Sequence, residues 1–280
     1  MKVRKLRQEE HLRTRKLWEE IFTEDTPEFV DYYYSVKAKE NEIYVIEDGD
    51  QIVSMLHLNP YQMRIGNQIC QTHYIVGVAT VPQYRRRGLM AELLNYVLRV
   101  MHDRGEPFTF LMPASEAIYK PFGFEFVYTQ GRSLVTTKNM NGEFVFTLAT
   151  KEECQELAEF ANAQLQAYDI TTWRTAAYYE TVLKEKSSED GGILLARKDG
   201  RLVGVFCFTR TEGLEIQEPL FLNRGILQQA VSCLTEKVEE KVLCLGYGNE
   251  EEKPLIMAKV LQPEFQDIFK KAKVFINEVV

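Results

Sequence analysis

Three consecutive arginines, Arg85, Arg86 and Arg87, run directly into Gly88 and then into a strongly periodic segment. Basic side chains at a glycine-bearing turn that opens a helix make a place to hold phosphate. The first N–H groups of a helix have no intrahelical partner, and the helix dipole favours negative charge there. Gly88 has no Cβ, so the backbone can approach a ligand closely. No Gly-Lys-Ser/Thr follows, so the stretch is not a P-loop. It also lacks the three spaced glycines of a dinucleotide fingerprint.

Such a turn needs a strand before it and a helix after it. Residues 76–80 are an apolar run broken by small residues, as in a buried strand, and Pro82 punctuates it. Met90, Leu93, Leu94, Val97 and Met101 recur at helical spacing, with Glu92, Asn95, Arg99 and Asp103 on the other side. Gly105 and Pro107 stop that helix. Upstream, the pattern predicts a strand over residues 3–6. It also predicts a helix over 9–22, with Leu12, Leu17, Trp18, Ile21 and Phe22 as core. Thr26 and Pro27 start a second helix as N-cap and N1. Hairpins turn at Asp48-Gly49 and at Gly66-Asn67. Downstream, a strand over 108–112 is followed by a short helix that Ser115 can cap, and strands over 124–128 and 133–137 complete the first sheet.

The strand, the Arg85-Arg86-Arg87-Gly88-Leu89-Met90 turn and the helix together resemble the acetyl-CoA pyrophosphate loop of the GCN5-related N-acetyltransferase (GNAT) superfamily. Arg85 and Gly88 match its Gln/Arg-x-x-Gly-x-Gly/Ala pattern, and Met90 stands where the family has a small residue. About thirty residues on, Tyr119-Lys120-Pro121-Phe122-Gly123-Phe124 resembles the family's Tyr-x-x-Phe-Gly-Phe element. With its Met-Pro-Ala-Ser-Glu lead-in, the combination most resembles the Eis-like bacterial branch, here without room for that branch's sterol-carrier-like third domain.

The resemblance implies an α/β fold with a mixed sheet, and acetyl-CoA as co-substrate. It implies phosphate contacts from Arg85, Arg86, Arg87, Gly88, Leu89 and Met90, and pantetheine contacts from Val78 and Ala79. Ser115 is either a coenzyme contact or only the cap of its helix. Tyr119 is the expected general acid, because a phenol of pKa near 10 is protonated at neutral pH and can donate to a thiolate. His73, Glu116 and Asp25 are alternative general bases. In the Eis-like branch the C-terminal carboxylate enters the active site, which would bring that of Val280 beside Tyr119. Direct transfer is expected, with no acyl-enzyme. The aromatic cluster Trp18, Phe22, Tyr32, Tyr33 and Tyr34 is divided between core and a wall of the substrate pocket.

The second half reads as a faded copy. Residues 193–208, two apolar runs about Asp199-Gly200, parallel residues 43–58 about Asp48-Gly49. Asn223-Arg224-Gly225 then opens a helix to residue 237 with one arginine where the first copy has three. The expected architecture is therefore tandem, with a catalytic domain over 1–142 and a degenerate one over 143–280. The turn-rich Asn139-Met140-Asn141-Gly142 marks the boundary. Strands are expected at 242–245, 254–261 and 274–280, with a short helix at 265–271.

Composition narrows the partners. Of 280 residues, 45% are hydrophobic and 11% aromatic, which suits real cores. The net charge of −7 argues against nucleic acid and against an anionic membrane surface. The five cysteines lack CxxC spacing and the four histidines are scattered, so no metal is expected. The N-terminus has no apolar signal core and no transmembrane run is present, so a cytoplasmic location is expected. A homo-oligomer is compatible with the sequence and not decided by it. The expectation is an N-acetyltransferase, an acyltransferase moving a group other than aminoacyl, that modifies a primary amine of a small molecule. Protein lysine or N-terminal acetylation, and a non-catalytic acyl-CoA sensor, are the alternatives.

Overall fold

The computed structural model describes residues 2–137, 143–235, 237 and 239–278. Its first half runs β1 (Val3–Lys5), α1 (Arg15–Ile21), α2 (Pro27–Ser35), β2 (Glu42–Asp48), β3 (Gln51–Ile65) and β4 (Gln68–Thr80). Next come α3 (Leu89–Asp103), β5 (Phe108–Leu111), α4 (Glu116–Tyr119) and β6 (Glu125–Thr136). The second half runs β7 (Val145–Leu148), α5 (Cys154–Gln164), β8 (Ile170–Thr172), α6 (Ala176–Ser188), β9 (Gly192–Lys198) and β10 (Arg201–Thr209). It ends with β11 (Glu215–Phe221), α7 (Arg224–Leu234), β12 (Lys241–Leu245), β13 (Glu251–Val260) and β14 (Val274–Phe275).

The chain divides into two compact units. The first is Met1–Tyr128 with Asp169–Thr172 and Leu255–Val280; the second is Thr129–Tyr168 with Trp173–Pro254. A single break at 142/143 does not describe this division, and residues 139–142 lie outside those described. Strand pairing is the reason. Met257–Val260 of β13 pair antiparallel with Leu111–Phe108 of β5, which draws the C-terminal stretch into the first unit. Arg132–Thr136 of β6 pair with Leu245–Lys241 of β12, which puts most of that strand in the second. Residues 125–136 are one strand, not two closing the first sheet.

In the first unit the strand order is β1-β2-β3-β4-β5-β13. Neighbours run antiparallel except for β4 and β5. One apolar cluster joins Leu93, Leu94, Val97 and Met101 of α3 to Leu56, Leu58 and Ile75 of the strands. Another joins Trp18 of α1 and Tyr32, Tyr33 and Tyr34 of α2 to Ile43, Val45 and Met55. The aromatic cluster is therefore core, apart from the half-buried Phe22. Thr26 caps α2 as its sequence implies, its hydroxyl accepting from the Phe29 N–H at 3.2 Å.

The second unit repeats the first in register. Asp48 pairs with Gln51, Glu47 with Ile52, and after a shift Ile46 with Ser54. Lys198 pairs with Arg201, Arg197 with Leu202, and after a shift Ala196 with Gly204. Each residue is displaced by 150 positions (48 to 198, 51 to 201, 54 to 204). Thr175 caps α6 as Thr26 caps α2, accepting from the Tyr178 N–H at 3.1 Å.

Some local expectations fail for lack of packing partners. Residues Gln8–Thr14 form a 3-10 helix, and Leu12 is 65% exposed rather than core. α7 ends at Leu234, and a 3-10 turn at Pro263–Phe265 replaces the helix expected over 265–271. The last strand is Val274–Phe275, and Val279 and Val280 lie outside the described residues.

Candidate active site

Parallel pairing of β4 with β5 is confined, among the described residues, to Tyr74 with Phe110. Past that point the edge of β4 that would face β5 is left open. On its other edge, β4 pairs with β3, but the register steps from Met55–Ala79 to His57–Val76. Gly77, at φ 60°, and Val78 sit in that bulge. A bulge leaves backbone groups out of the ladder and bends the strand. Glycine is needed here, since a Cβ would meet the Trp18 ring at 2.6 Å and His57 at 3.4 Å. Val78 is half-buried and packs on the α3 cluster. Ala79 is 3% exposed, with its side chain in the α1–α2 core, so only its backbone could face a ligand.

β4 leads through a 3-10 turn, Pro82–Tyr84, into the arginines. Arg85 is exposed and donates from Nε to the Thr80 carbonyl at 3.2 Å. Arg87 donates to the Gln83 carbonyl at 2.9 Å and lies over the Tyr84 ring at 4.9 Å. Tyr84 in turn donates to Asp48 Oδ2 at 2.7 Å, which ties the turn to the end of β2. Arg86 has φ 61° and Gly88 φ 81°, with no positive φ at Arg87 between them. This alternation aims successive N–H groups to one side, the geometry of an anion-binding nest. Gly88 is the N-cap of α3 and offers no side-chain cap. Among the described residues the N–H groups of 86–91 donate to no carbonyl. Leu89 is buried and Met90 half-buried against the α3 cluster, so their side chains anchor the helix while their N–H groups stay available.

Tyr119 ends α4, 7% exposed, with its ring edge-on to Phe124 at 5.9 Å. Burial pushes its phenol up to about 12. Ser115 is the exposed N-cap of α4, but its hydroxyl makes no capping bond. Tyr74, the β4 residue that pairs with β5, is 2% exposed and accepts the Met112 N–H at 3.3 Å. Burial raises its phenol well above 10, and the Tyr119 and Glu278 charges add to that rise. Tyr119 and Glu278 are thus each within electrostatic range of Tyr74.

Each of the three side chains expected as a possible base is held by a partner. His73 is bound to Glu106, Glu116 is bound to Lys120 at 2.9 Å, and Asp25 accepts from the Trp18 indole at 2.7 Å. Burial raises the Asp25 carboxyl, partly offset by that indole. Glu278, 8% exposed, is the carboxylate that the C-terminal segment carries inward. Its one sequence signal is a lone acidic residue inside the apolar 275–280 run. The carboxylate of Val280 lies outside the described residues. No group of three or more His, Cys, Asp or Glu is placed to hold a metal among the described residues.

Residues 2–127 match the family model described as acetyltransferase (GNAT) domain. A search of curated proteins returned no match. Among solved structures, the chain is similar to a probable N-acyltransferase from Enterococcus faecalis V583. The TM-score is 0.76 at 16% identity, over 93% of this chain and 72% of that one. It is similar to Eis1 from Mycobacterium abscessus, with a TM-score of 0.66 at 11% identity, over 94% and 74%. It is also similar to a tandem GNAT protein from the clavulanic acid biosynthesis pathway, with a TM-score of 0.57 at 11% identity, over 94% and 99%. At these identities the likeness concerns the fold. The structure is thus a mixed α/β fold shared with a tandem GNAT protein, and the match to an acetyltransferase (GNAT) domain covers residues 2–127.

Proposed function

We propose that this protein is an acetyl-CoA-dependent N-acetyltransferase that acetylates a primary amine of a small molecule by direct transfer. The observation that carries the reading is the fork between β4 and β5. It has an arginine-bearing nest and a bare helix N-terminus at one end, and the buried Tyr74 and Tyr119 at the other, with the Glu278 charge acting on Tyr74.

Acetyl-CoA supplies an activated thioester. The N–H groups of residues 86–91 and the Arg85, Arg86 and Arg87 side chains would hold its pyrophosphate. The bulge at Gly77 and Val78 would direct backbone donors at the carbonyl oxygen as charge builds there. Tyr119 would give its proton to the departing sulfur, since burial keeps the phenol protonated throughout the neutral range. Glu278 would take the proton of the attacking amine, and its negative charge would favour a cationic substrate. Among the described residues no helix is long and apolar enough to cross a membrane.

The test is calorimetric titration of acetyl-CoA into wild type and Tyr119→Phe, with thiol release measured over a panel of amines. Binding by both with turnover by wild type alone is expected. Binding without transfer to any amine would favour an acyl-CoA sensor, and failure of both to bind would overturn the reading.

A further inference from the structure

A cavity of about 500 Å³ opens at the C-terminal end of α3, lined by Glu42, Cys70, Gln71, His73, Arg104 and Glu106. α3 has 15 residues, so this end lies roughly 22 Å along the helix from Gly88. The cavity is separate from the arginine turn.

His73 and Glu106 form its floor. His73 Nδ1 lies 2.9 Å from both carboxylate oxygens, and the two residues are 7% and 5% exposed. Nδ1 therefore carries the proton given to the carboxylate, and Nε2 is left to interact with a ligand. Among the described residues Nε2 has no hydrogen-bond partner, and it is not among the side-chain atoms sealed from solvent. Arg104 stands at the rim. Its Nη2 donates to both oxygens of Glu42, at 3.1 and 2.9 Å, and its Nη1 lies 3.8 Å from Glu106. The Nε–H remains to be offered elsewhere.

The charges here are nearly even. Glu42 and Glu106 are negative, and Lys5, 2.6 Å from Glu42, and Arg104 are positive. Two against two leaves no net charge. Cys70, on the same strand as His73, is the remaining titratable group of the lining. A proton on Nε2 would leave one positive charge facing the cavity, which a singly charged anion would balance. A buried histidine–carboxylate pair adds little stability that apolar packing could not supply, so its place under an open cavity suits binding better than folding.

We propose that this cavity is a second binding site, for a small carboxylate or phosphate held between the Arg104 guanidinium and a protonated His73. The oxyanion accepts from Arg104 Nε–H and from His73 Nε2–H, while Glu106 fixes the ring through Nδ1. Binding takes up a proton whenever the ring starts neutral.

The test is nuclear magnetic resonance of the histidine rings in the full chain, titrated separately with inorganic phosphate and with acetate. Calorimetry in two buffers of different ionisation enthalpy accompanies it. A saturable shift of the His73 ring with net proton uptake is expected, and the anion that saturates names the class. Arg104→Gln, which leaves the Glu42–Lys5 pair in place, should weaken binding about tenfold or more through loss of a charge-assisted bond. His73→Gln should abolish the proton uptake. No saturation by either anion at tens of millimolar would overturn the proposal. So would an unchanged affinity in Arg104→Gln, or displacement of the anion by acetyl-CoA.

Discussion

Glu218 stands in the second unit where Gly77 stands in the first. The pairs Met55–Ala79 and Leu58–Ile75 correspond to Val205–Leu220 and Phe208–Ile216, and within them the register shifts between Met55 and His57 in the first unit and between Phe206 and Phe208 in the second. Both residues are left-handed, at φ 60° and φ 91°. Behind Gly77 lies the Trp18 ring, whereas Glu218 carries its carboxylate onto the guanidinium of Arg174, 1% exposed, with Nη2 to Oε2 at 2.9 Å. Holding a non-glycine residue left-handed costs about 1–3 kcal/mol, and a persistent ion pair can offset it. The turn after the strand differs as well. The Val81 N–H donates to Val53 and the Leu222 N–H to Val203, so the two turns begin alike. Seven residues, 81–87, then precede the N-cap Gly88, but only Leu222 precedes the N-cap Asn223.

The second unit therefore keeps the bulge and lacks the arginine turn. Calorimetric titration with acetyl-CoA is expected to reach one equivalent per chain, and two equal sites would refute this. Glu218→Ala removes the carboxylate that binds a buried guanidinium. Urea unfolding should show a loss of about 3–5 kcal/mol in the second unit's stability, with coenzyme affinity unchanged.

Arg86 contributes a charge but occupies a backbone conformation that suits glycine, at φ 61°. Arg86→Gly keeps the turn and loses the charge. Arg86→Val loses the charge and puts a β-branched side chain where it is strained. Coenzyme affinity should fall in both, and further in Arg86→Val by about fivefold or more, corresponding to about 1 kcal/mol. Equal affinities would mean that the alternation at Arg86, Arg87 and Gly88 does not matter to binding.

His57 is fully buried, with Nδ1 hydrogen-bonded to the Tyr33 hydroxyl 3.0 Å away. Burial, with a smaller contribution from the charge of His11, lowers its pKa from 6.5 to about 3. The unfolded chain then binds more protons at this residue than the folded one between those values. Stability is present above pH 6.5 and is lost as the pH falls towards 3, by on the order of 3–5 kcal/mol. Denaturant midpoints measured across that range should decline, and should decline less in His57→Gln. An equal slope in the variant would show that other groups govern the acid response.

What the sequence reveals depends on how local each feature is. The Asp48-Gly49 and Asp199-Gly200 hairpins, the Thr26 cap and the periodic face of α3 are each settled within a few residues, and each is present. The exchange of β6 and β13 is not local. Leu134 and Met257 lie in apolar runs that would suit either sheet, and only their pairing with Leu243 and Leu111 assigns them. β3 continues through Pro60, opposite His73. Tyr119 and the arginines stand out as candidates because their motifs are contiguous. Glu278 offers no such motif, and 204 residues (278 less 74) separate it from Tyr74, on which its charge acts.

The tail gives the last prediction. Two carboxylates on the tail could accept the amine proton, that of Glu278 and the terminal one of Val280. Glu278 is 8% exposed and contributes to the charge felt by Tyr74, whose hydroxyl receives the Met112 N–H. Glu278→Gln keeps the shape and a hydrogen-bonding oxygen but cannot accept a proton. It should lower kcat by about 10²-fold or more, as removal of a general base does, with coenzyme affinity unchanged. Deletion of Val279 and Val280 should leave kcat within a fewfold of wild type, provided thermal stability is retained. The reverse pattern, full activity in Glu278→Gln and loss on deletion, would assign the proton to the chain terminus. Loss in both with an unchanged pH profile would mean that the tail only shapes the substrate pocket and that the amine enters already deprotonated.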